Sequence, residues 1–155
     1  MTAPSASSPV VDNALLSPPA SDGLPAFDRI RPEHAAPAID AVLAENRARL
    51  RTLLERESDR TRSAGWEGLI EPLEAMADRV ARAWGPVSHL FGVTSTPEWR
   101  KAYNECLPKI TAYHLELSQN DALFRGYEAL AASSAYAAFS PARRKVIHDA
   151  LRDFK

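Results

Sequence analysis

The stretch "RAWGPVSHLFGVTSTPEWRKAY" (Arg82 to Tyr103) places a helix stop and a helix start close together. The Gly-Pro pair at 85–86 predicts the end of a helix, because proline lacks the backbone N–H and its ring clashes with the preceding turn. A short helix over His89 to Val93 is predicted to follow. Thr96 suits an N-cap and Pro97 suits the first helical position, so a new helix is predicted from residue 97.

On both sides of this stretch, apolar residues recur at steps of three and four, which is typical of amphipathic helices. The clearest stripes are Ile39, Val42, Leu43, Asn46, Leu50, Leu53 and Leu54, and then Trp66, Leu69, Ile70, Leu73, Met76, Ala77, Val80, Ala83 and Trp84. Helices are predicted at roughly 32–59, 66–84, 97–119, 121–132 and 141–153. No segment alternates as a strand would. The predicted fold class is all-α, an antiparallel helical bundle with helices bent at interior prolines.

Composition separates the first 23 residues from the rest of the chain. Residues 1–23 are rich in Pro, Ser and Ala and are predicted to form a mobile tail, with "NALL" (Asn13 to Leu16) expected to dock on a partner surface. Residues 24–155 are predicted to form a helical domain. The helical pattern runs into Lys155 without a C-cap residue or a polar tail, so the chain is expected to be truncated at its C terminus.

The overall composition excludes several classes of protein. The chain has 155 residues and a net charge of −1, so no basic excess points to nucleic acid. One cysteine rules out an internal disulfide. No apolar run approaches the roughly 18 residues of a membrane span. The first residues lack the charge and the apolar core of a signal peptide, so a cytoplasmic protein is expected.

The residues that could carry chemistry form no recognisable site. The four histidines are His34, His89, His114 and His148, and none has another histidine four residues away, as a helical zinc site requires. A metal site assembled from distant histidines stays open as an alternative, but we expect His89 to be a partly buried core or hydrogen-bonding histidine and His34 to be solvated or capping. Cys106 is expected to be a buried, inert thiol. We therefore assign no catalytic, cofactor-binding or metal residue.

The aromatic residues leave two interpretations. Trp66, Trp84 and Trp99, with the tyrosines, could stack on a ligand, but at helical spacing among aliphatic residues they favour the core. The six glycines are scattered singly and form no phosphate-binding loop.

Several spaced motifs resemble one protein family in the right order, over about Asn13 to Lys155. The opening run "LPAFDRIRPEHAAPAIDAVL" matches at Pro25, Phe27, Ile30, Pro32, Glu33, His34, Pro37 and Ala38. The stretches "WEGLIEPLEAMADRVARAWGPVSHLFGV", "TPEWRKAYNECLPKITAY" and "ARRKVIHDALRDF" follow. Together they resemble the N-terminal region of the oligopeptidase A-like members of the thimet oligopeptidase family of zinc metallopeptidases. Gly65 and Gly68 depart from the usual Thr and Asn of that pattern.

The resemblance implies a function as part of a larger all-α peptidase. In that family this region forms part of one wall of a channel that admits short peptides. The zinc-binding H-E-x-x-H lies in the C-terminal half and has no counterpart here, so the resemblance implies no cofactor in this chain and no activity for the chain alone. The implied partners are the C-terminal catalytic portion of the same polypeptide and short peptides. The alternative is a free-standing, non-catalytic helical module for protein interaction.

A truncated chain is expected to expose apolar side chains that its missing portion would cover. The candidates are Trp84 with Phe91, and Val146, Ile147 and Leu151 on the last helix. Such a fragment is expected to be marginally stable or to self-associate.

Overall fold

The computed structural model describes residues 13–17, 23–57 and 65–154, and within them it contains helices and no strand. The five α-helices are α1 (Ala35–Glu57), α2 (Glu71–Thr94), α3 (Pro97–Ser118), α4 (Asp121–Ala131) and α5 (Pro141–Asp153). Short 3-10 turns span Pro32–His34 and Tyr136–Ala138, and a π-helical turn spans Trp66–Ile70. The all-α prediction is confirmed. Among the described helices, none is long and apolar enough to cross a membrane.

The helix starts follow from local capping chemistry. The side-chain oxygen of Thr96 accepts the backbone N–H of Trp99 at 3.4 Å, at the start of α3. Asn120 Oδ1 accepts two backbone N–H groups at 3.0 Å and so caps α4. Ser140 Oγ accepts the N–H of Arg143 at 3.3 Å and caps α5. Each cap satisfies N–H groups that have no partner within the helix, which explains why these starts could be predicted.

The predicted end of the second helix at Trp84 is wrong, and so is a separate short helix over His89 to Val93. Helix α2 continues through Pro86 to Thr94. A proline inside a helix removes one backbone hydrogen bond and costs about 3 kcal/mol. Here Pro86 and Val87 are buried with Ala83, so side-chain packing offsets that cost. The helix ends only before Ser95, whose φ of 49° breaks the helical path.

The segment Asn13–Ser17 packs on its own chain. Asn13 and Leu15 are buried, and Asn13 Nδ2 donates to the backbone carbonyl of His34 at 2.8 Å. The backbone N–H of Leu15 donates to Asn13 Oδ1 at 3.0 Å. The expectation that this segment docks on a partner is therefore corrected: its polar anchor lies just before α1. The rest of the predicted mobile tail, residues 1–12 and 18–22, lies outside the described residues.

The chain divides into two compact units, Met1–Ala44 with Asp78–Ile110, and Glu45–Ala77 with Thr111–Lys155. The boundaries fall within α1, α2 and α3. In the first unit, the core is built from the first part of α1, the second part of α2 and the first part of α3. Its buried apolar residues are Leu15, Ile30, Ala35, Ala38, Ile39, Val42, Leu43, Val80, Ala83, Val87, Trp99, Ala102, Cys106 and Ile110.

The second unit has its own apolar cluster of Leu50, Leu53, Leu69, Ile70, Met76, Leu123, Leu130 and Ile147. Within it, α4 approaches the π-helical turn closely: a Cβ added at Gly126 would lie 3.2 Å from Leu69 Cδ2. The turn itself begins after Gly65, whose φ of +63° suits glycine. Position 65, where this chain departs from the family pattern, therefore has a backbone conformation that glycine adopts without strain and that a residue with a side chain would adopt only with strain.

The surface expected to be exposed by truncation is only partly exposed. Trp84 and Phe91 are half-buried, because both rings stack on Tyr103 at centroid distances of 4.9 Å and 4.2 Å. Val146 is exposed, but Ile147 has no exposed surface and belongs to the core of the second unit. Exposure of Ile147 was therefore a wrong expectation. The physical reason is that α5 packs on α4, so Ile147 has its partners inside the chain.

Candidate functional site

The histidines do not converge on a site. Within the described residues, no group of three His, Cys, Asp or Glu side chains lies close enough to hold a metal ion. His34 is used at the start of α1: its Nδ1 accepts the backbone N–H of Arg31 at 3.2 Å. His148 lies 3.7 Å from the carboxylate of its neighbour Asp149. The interpretation of His34 as a capping residue is confirmed.

The interpretation of His89 as partly buried is wrong. Its side chain is exposed, and its ring lies 5.3 Å from that of Phe27, also exposed. Because α2 continues through Pro86, His89 stands two residues after the buried Val87, about 200° further around the helix. The burial of His89 was therefore predicted wrongly because the helix was predicted to end at the Gly-Pro pair.

Cys106 lies in the core of the first unit, with no exposed surface. Burial raises the pKa of its thiol to about 11, and the nearby ammonium of Lys109 opposes that shift only in part. Lys109 is itself held 2.8 Å from both carboxylate oxygens of Asp40. A nucleophilic cysteine needs a lowered pKa and access to its substrate. Cys106 has neither, so the geometry agrees with an inert thiol.

We expect native Cys106 to react with iodoacetamide at pH 8 about 100-fold more slowly than in the chain unfolded by urea, because only the thiolate attacks and burial disfavours it. Labelling followed by mass spectrometry measures both rates. Equal rates in the native and unfolded chain would show that the thiol is accessible and ionised, against the packing described above.

Several charged side chains on the long helices form ion pairs. Arg47 donates to both carboxylate oxygens of Glu116 at 2.7 Å, which raises the pKa of Arg47 and lowers that of Glu116. Arg82 pairs with Asp78 one turn away at 2.6 Å. Both pairs are half exposed and so contribute little to stability. The lowered pKa of Glu116 is the opposite of the raised pKa that suits an acid catalyst.

In each unit, the described residues form a groove that could receive another group. In the first unit, a cleft of about 580 Å³ lies between the segment before α1 and helix α2, with Phe27, Ile30 and Pro86 among its apolar walls. In the second unit, a groove of about 310 Å³ lies between Leu73, Leu117, Tyr127 and Phe154. Apolar walls with a few polar groups are typical of binding sites. Among the described residues, no hydrogen bond joins a nucleophile to a base in either groove: Ser118 lines the second groove with His114, but its hydroxyl donates to the carbonyl of Leu115 at 3.1 Å.

No sequence motif indicated either groove. The residues of the second groove come from α2, α3, α4 and the end of α5, far apart along the chain. The sequence pattern does indicate one buried polar residue, because Asn46 interrupts an otherwise apolar stripe. It has no exposed surface, and its Nδ2 donates to the carbonyl of Met76 at 2.8 Å and to Tyr113 Oη at 3.3 Å. Asn46 therefore joins α1, α2 and α3 within the second unit.

Comparison with known proteins decides what this helical chain is. The family model described as the neurolysin/thimet oligopeptidase N-terminal domain matches residues 39–155. The chain belongs to this family. The match covers all five helices except the first residues of α1, and it confirms the resemblance drawn from the motifs.

The similar curated proteins are oligopeptidases. The chain is 38% identical over 133 residues to oligopeptidase A of Haemophilus influenzae, which is 86% of this chain and 19% of that protein. It is 35% identical over 143 residues to oligopeptidase A of Escherichia coli, which is 92% of this chain and 20% of that protein. A probable cytosolic oligopeptidase A of Arabidopsis thaliana is 30% identical over 129 residues. The chain thus spans about a fifth of the length of these relatives.

Proposed function

We propose that this chain is the N-terminal helical part of an oligopeptidase A-like zinc metalloendopeptidase that degrades short peptides. The observation that carries the proposal is the family match over residues 39–155, together with alignment of 92% of the chain to a fifth of the Escherichia coli enzyme. We propose that residues 24–155 form part of one wall of the peptide channel, and that the remainder of the longer polypeptide is their partner.

The zinc site belongs, in this proposal, to the C-terminal half of the longer polypeptide. In zinc peptidases with the H-E-x-x-H motif, one helix carries two histidine ligands four residues apart and a general-base glutamate between them. The sequence of this chain contains no such motif. The proposed contribution of this part is therefore to bind, orient and restrict peptides. We propose a cytoplasmic location, which the name of the probable cytosolic relative supports.

We expect the purified 155-residue chain, incubated with zinc and a quenched fluorescent peptide, to show no hydrolysis above buffer. The reason is the lack of the paired histidines and their glutamate. The matched measurement uses the longer polypeptide, which should cleave the same peptide and lose that activity when a chelator is added. Chelator-sensitive cleavage by the short chain would place catalysis inside these 155 residues and refute the proposal. A longer polypeptide that cleaves no peptide would refute it as well.

A further inference from the structure

The groove of the second unit is mainly apolar, with two carboxylates among the residues that line it. Its walls include the side chains of Leu73, Leu117, Tyr127 and Phe154. The rings of Tyr127 and Phe154 lie 5.9 Å apart and fix one side of the slot. A volume of about 310 Å³ is enough for one or two large side chains.

Two carboxylates line this groove, and they differ in their partners. Asp153 accepts from the guanidinium of Arg152 at 3.1 Å, so its charge is partly compensated. Glu74, in the first turn of α2, forms no ion pair with any residue that the structure describes. Its carboxylate is exposed. Glu74 is therefore the charge that remains available to a binding partner.

The hydroxyl of Tyr127 is a second polar group in this groove that is available to a binding partner. It makes no hydrogen bond to the described part of the chain, and its burial, with the charge of Glu74 nearby, raises the pKa of the phenol. A neutral phenol that lines a groove can donate a hydrogen bond to a carbonyl oxygen or accept one from an ammonium group. Leu73, Glu74 and Tyr127 thus present an apolar wall, a negative charge and a hydrogen-bonding group to one occupant.

We propose that this groove receives a segment from the remainder of the longer oligopeptidase polypeptide, which places an apolar side chain in the slot and a lysine or arginine beside Glu74. The inference rests on the proposed function. It is supported by the relatives, which are about five times longer than the chain that matches them. It is supported too by charge complementarity, because a cation would neutralise Glu74, which forms no ion pair with the described residues.

The test is carboxylate footprinting with a carbodiimide and glycine ethyl ester, read by mass spectrometry. The 155-residue chain and the full-length polypeptide are labelled in parallel. We expect the labelling rate of Glu74 to fall at least about tenfold in the full-length polypeptide, because its carboxylate becomes covered and paired. Glu71 is the matched control: it is exposed, lies in the same first turn of α2 and does not line the groove. Its rate should be the same in both proteins.

A charge reversal gives a second readout. Glu74→Lys and Glu71→Lys make the same change of charge at two exposed positions of one helix, so each should change the thermal midpoint of the 155-residue chain only slightly and to a similar extent. In the full-length polypeptide, Glu74→Lys should lower it further than Glu71→Lys does, because it also repels the docked cation.

Glu74 labelled equally fast in both proteins, or protected in the short chain as its concentration rises, would overturn the groove proposal. If that full-length protein nevertheless shows chelator-sensitive peptidase activity, the proposed function stands and only the groove proposal fails. A gene that encodes nothing beyond Lys155 would overturn both.

Discussion

Replacing Asn46 by aspartate should lower the free energy of unfolding of the chain by about 3–5 kcal/mol at neutral pH, the usual cost of leaving an uncompensated charge in a core. Asn46 has no exposed surface, and its Nδ2 is held 2.8 Å from the carbonyl oxygen of Met76. Its Oδ1 has no hydrogen-bond partner in the described residues. An aspartate would set a second acceptor against that carbonyl and bury a charge, while Arg47, whose guanidinium lies over the ring of Tyr113, is already paired with Glu116.

The loss of stability in Asn46→Asp should depend on pH in a definite direction. Burial disfavours the charged form, so the pKa of the new carboxyl is higher in the folded chain than in the unfolded chain. The folded variant then binds more protons, and its stability falls as pH rises from the unfolded-state pKa of about 3.9 through the folded-state pKa. Relative to the unsubstituted chain, the deficit should therefore be smallest at acid pH.

Urea denaturation at pH 4 and pH 7 measures this prediction. Asn104→Asp is the matched control, because Asn104 is exposed on α3 and the chemical change is identical. Its effect should stay within about 0.5 kcal/mol at both values of pH. A loss of stability in Asn46→Asp as small as in Asn104→Asp would show that Asn46 is not buried at the junction of three helices.

Replacing Ile147 by alanine should lower the free energy of unfolding by about 2–5 kcal/mol, because the change removes buried methyl groups and leaves a cavity. Ile147 has no exposed surface and lies in the apolar cluster of the second unit. Val146, its neighbour on α5, is 37% exposed. Val146→Ala should cost clearly less, so the pair isolates the effect of burial on one helix.

Urea denaturation of the two α5 variants gives the comparison. Similar losses for Ile147→Ala and Val146→Ala would mean that α5 does not pack into the chain in solution. That outcome would restore the expectation that the last helix needs the missing portion of the polypeptide to cover Ile147.

The helices could be predicted from the sequence wherever local chemistry decides them. Thr96, Asn120 and Ser140 each cap a helix with a side-chain oxygen, and that preference is local and strong. The continuation of α2 through Gly85 and Pro86 could not be predicted in the same way. Whether a proline ends a helix or is tolerated depends on burial by residues distant in sequence, and no local pattern shows that burial.

The local sequence pattern also could not predict which side of α5 is buried. Val146 and Ile147 are adjacent and equally apolar, and only the position of α4 decides that Ile147 is buried. The groove beside Glu74 could not be predicted for the same reason, because Leu117, Tyr127 and Phe154 come together only through tertiary packing. Family membership, in contrast, could be predicted from the sequence alone. It rests on motifs spread along the chain, so it could be read before any contact was known, and the match over residues 39–155 confirms it.

The sequence of the gene downstream of the codon for Lys155 tests the central claim most directly. If this chain is the N-terminal part of an oligopeptidase A-like metallopeptidase, the reading frame should continue in phase for about four times the length of the chain, because the relatives are about five times as long as their matching parts. That continuation should contain H-E-x-x-H and a downstream glutamate. A stop codon directly after Lys155, or a long continuation without that motif, would contradict the claim and leave a free-standing helical module.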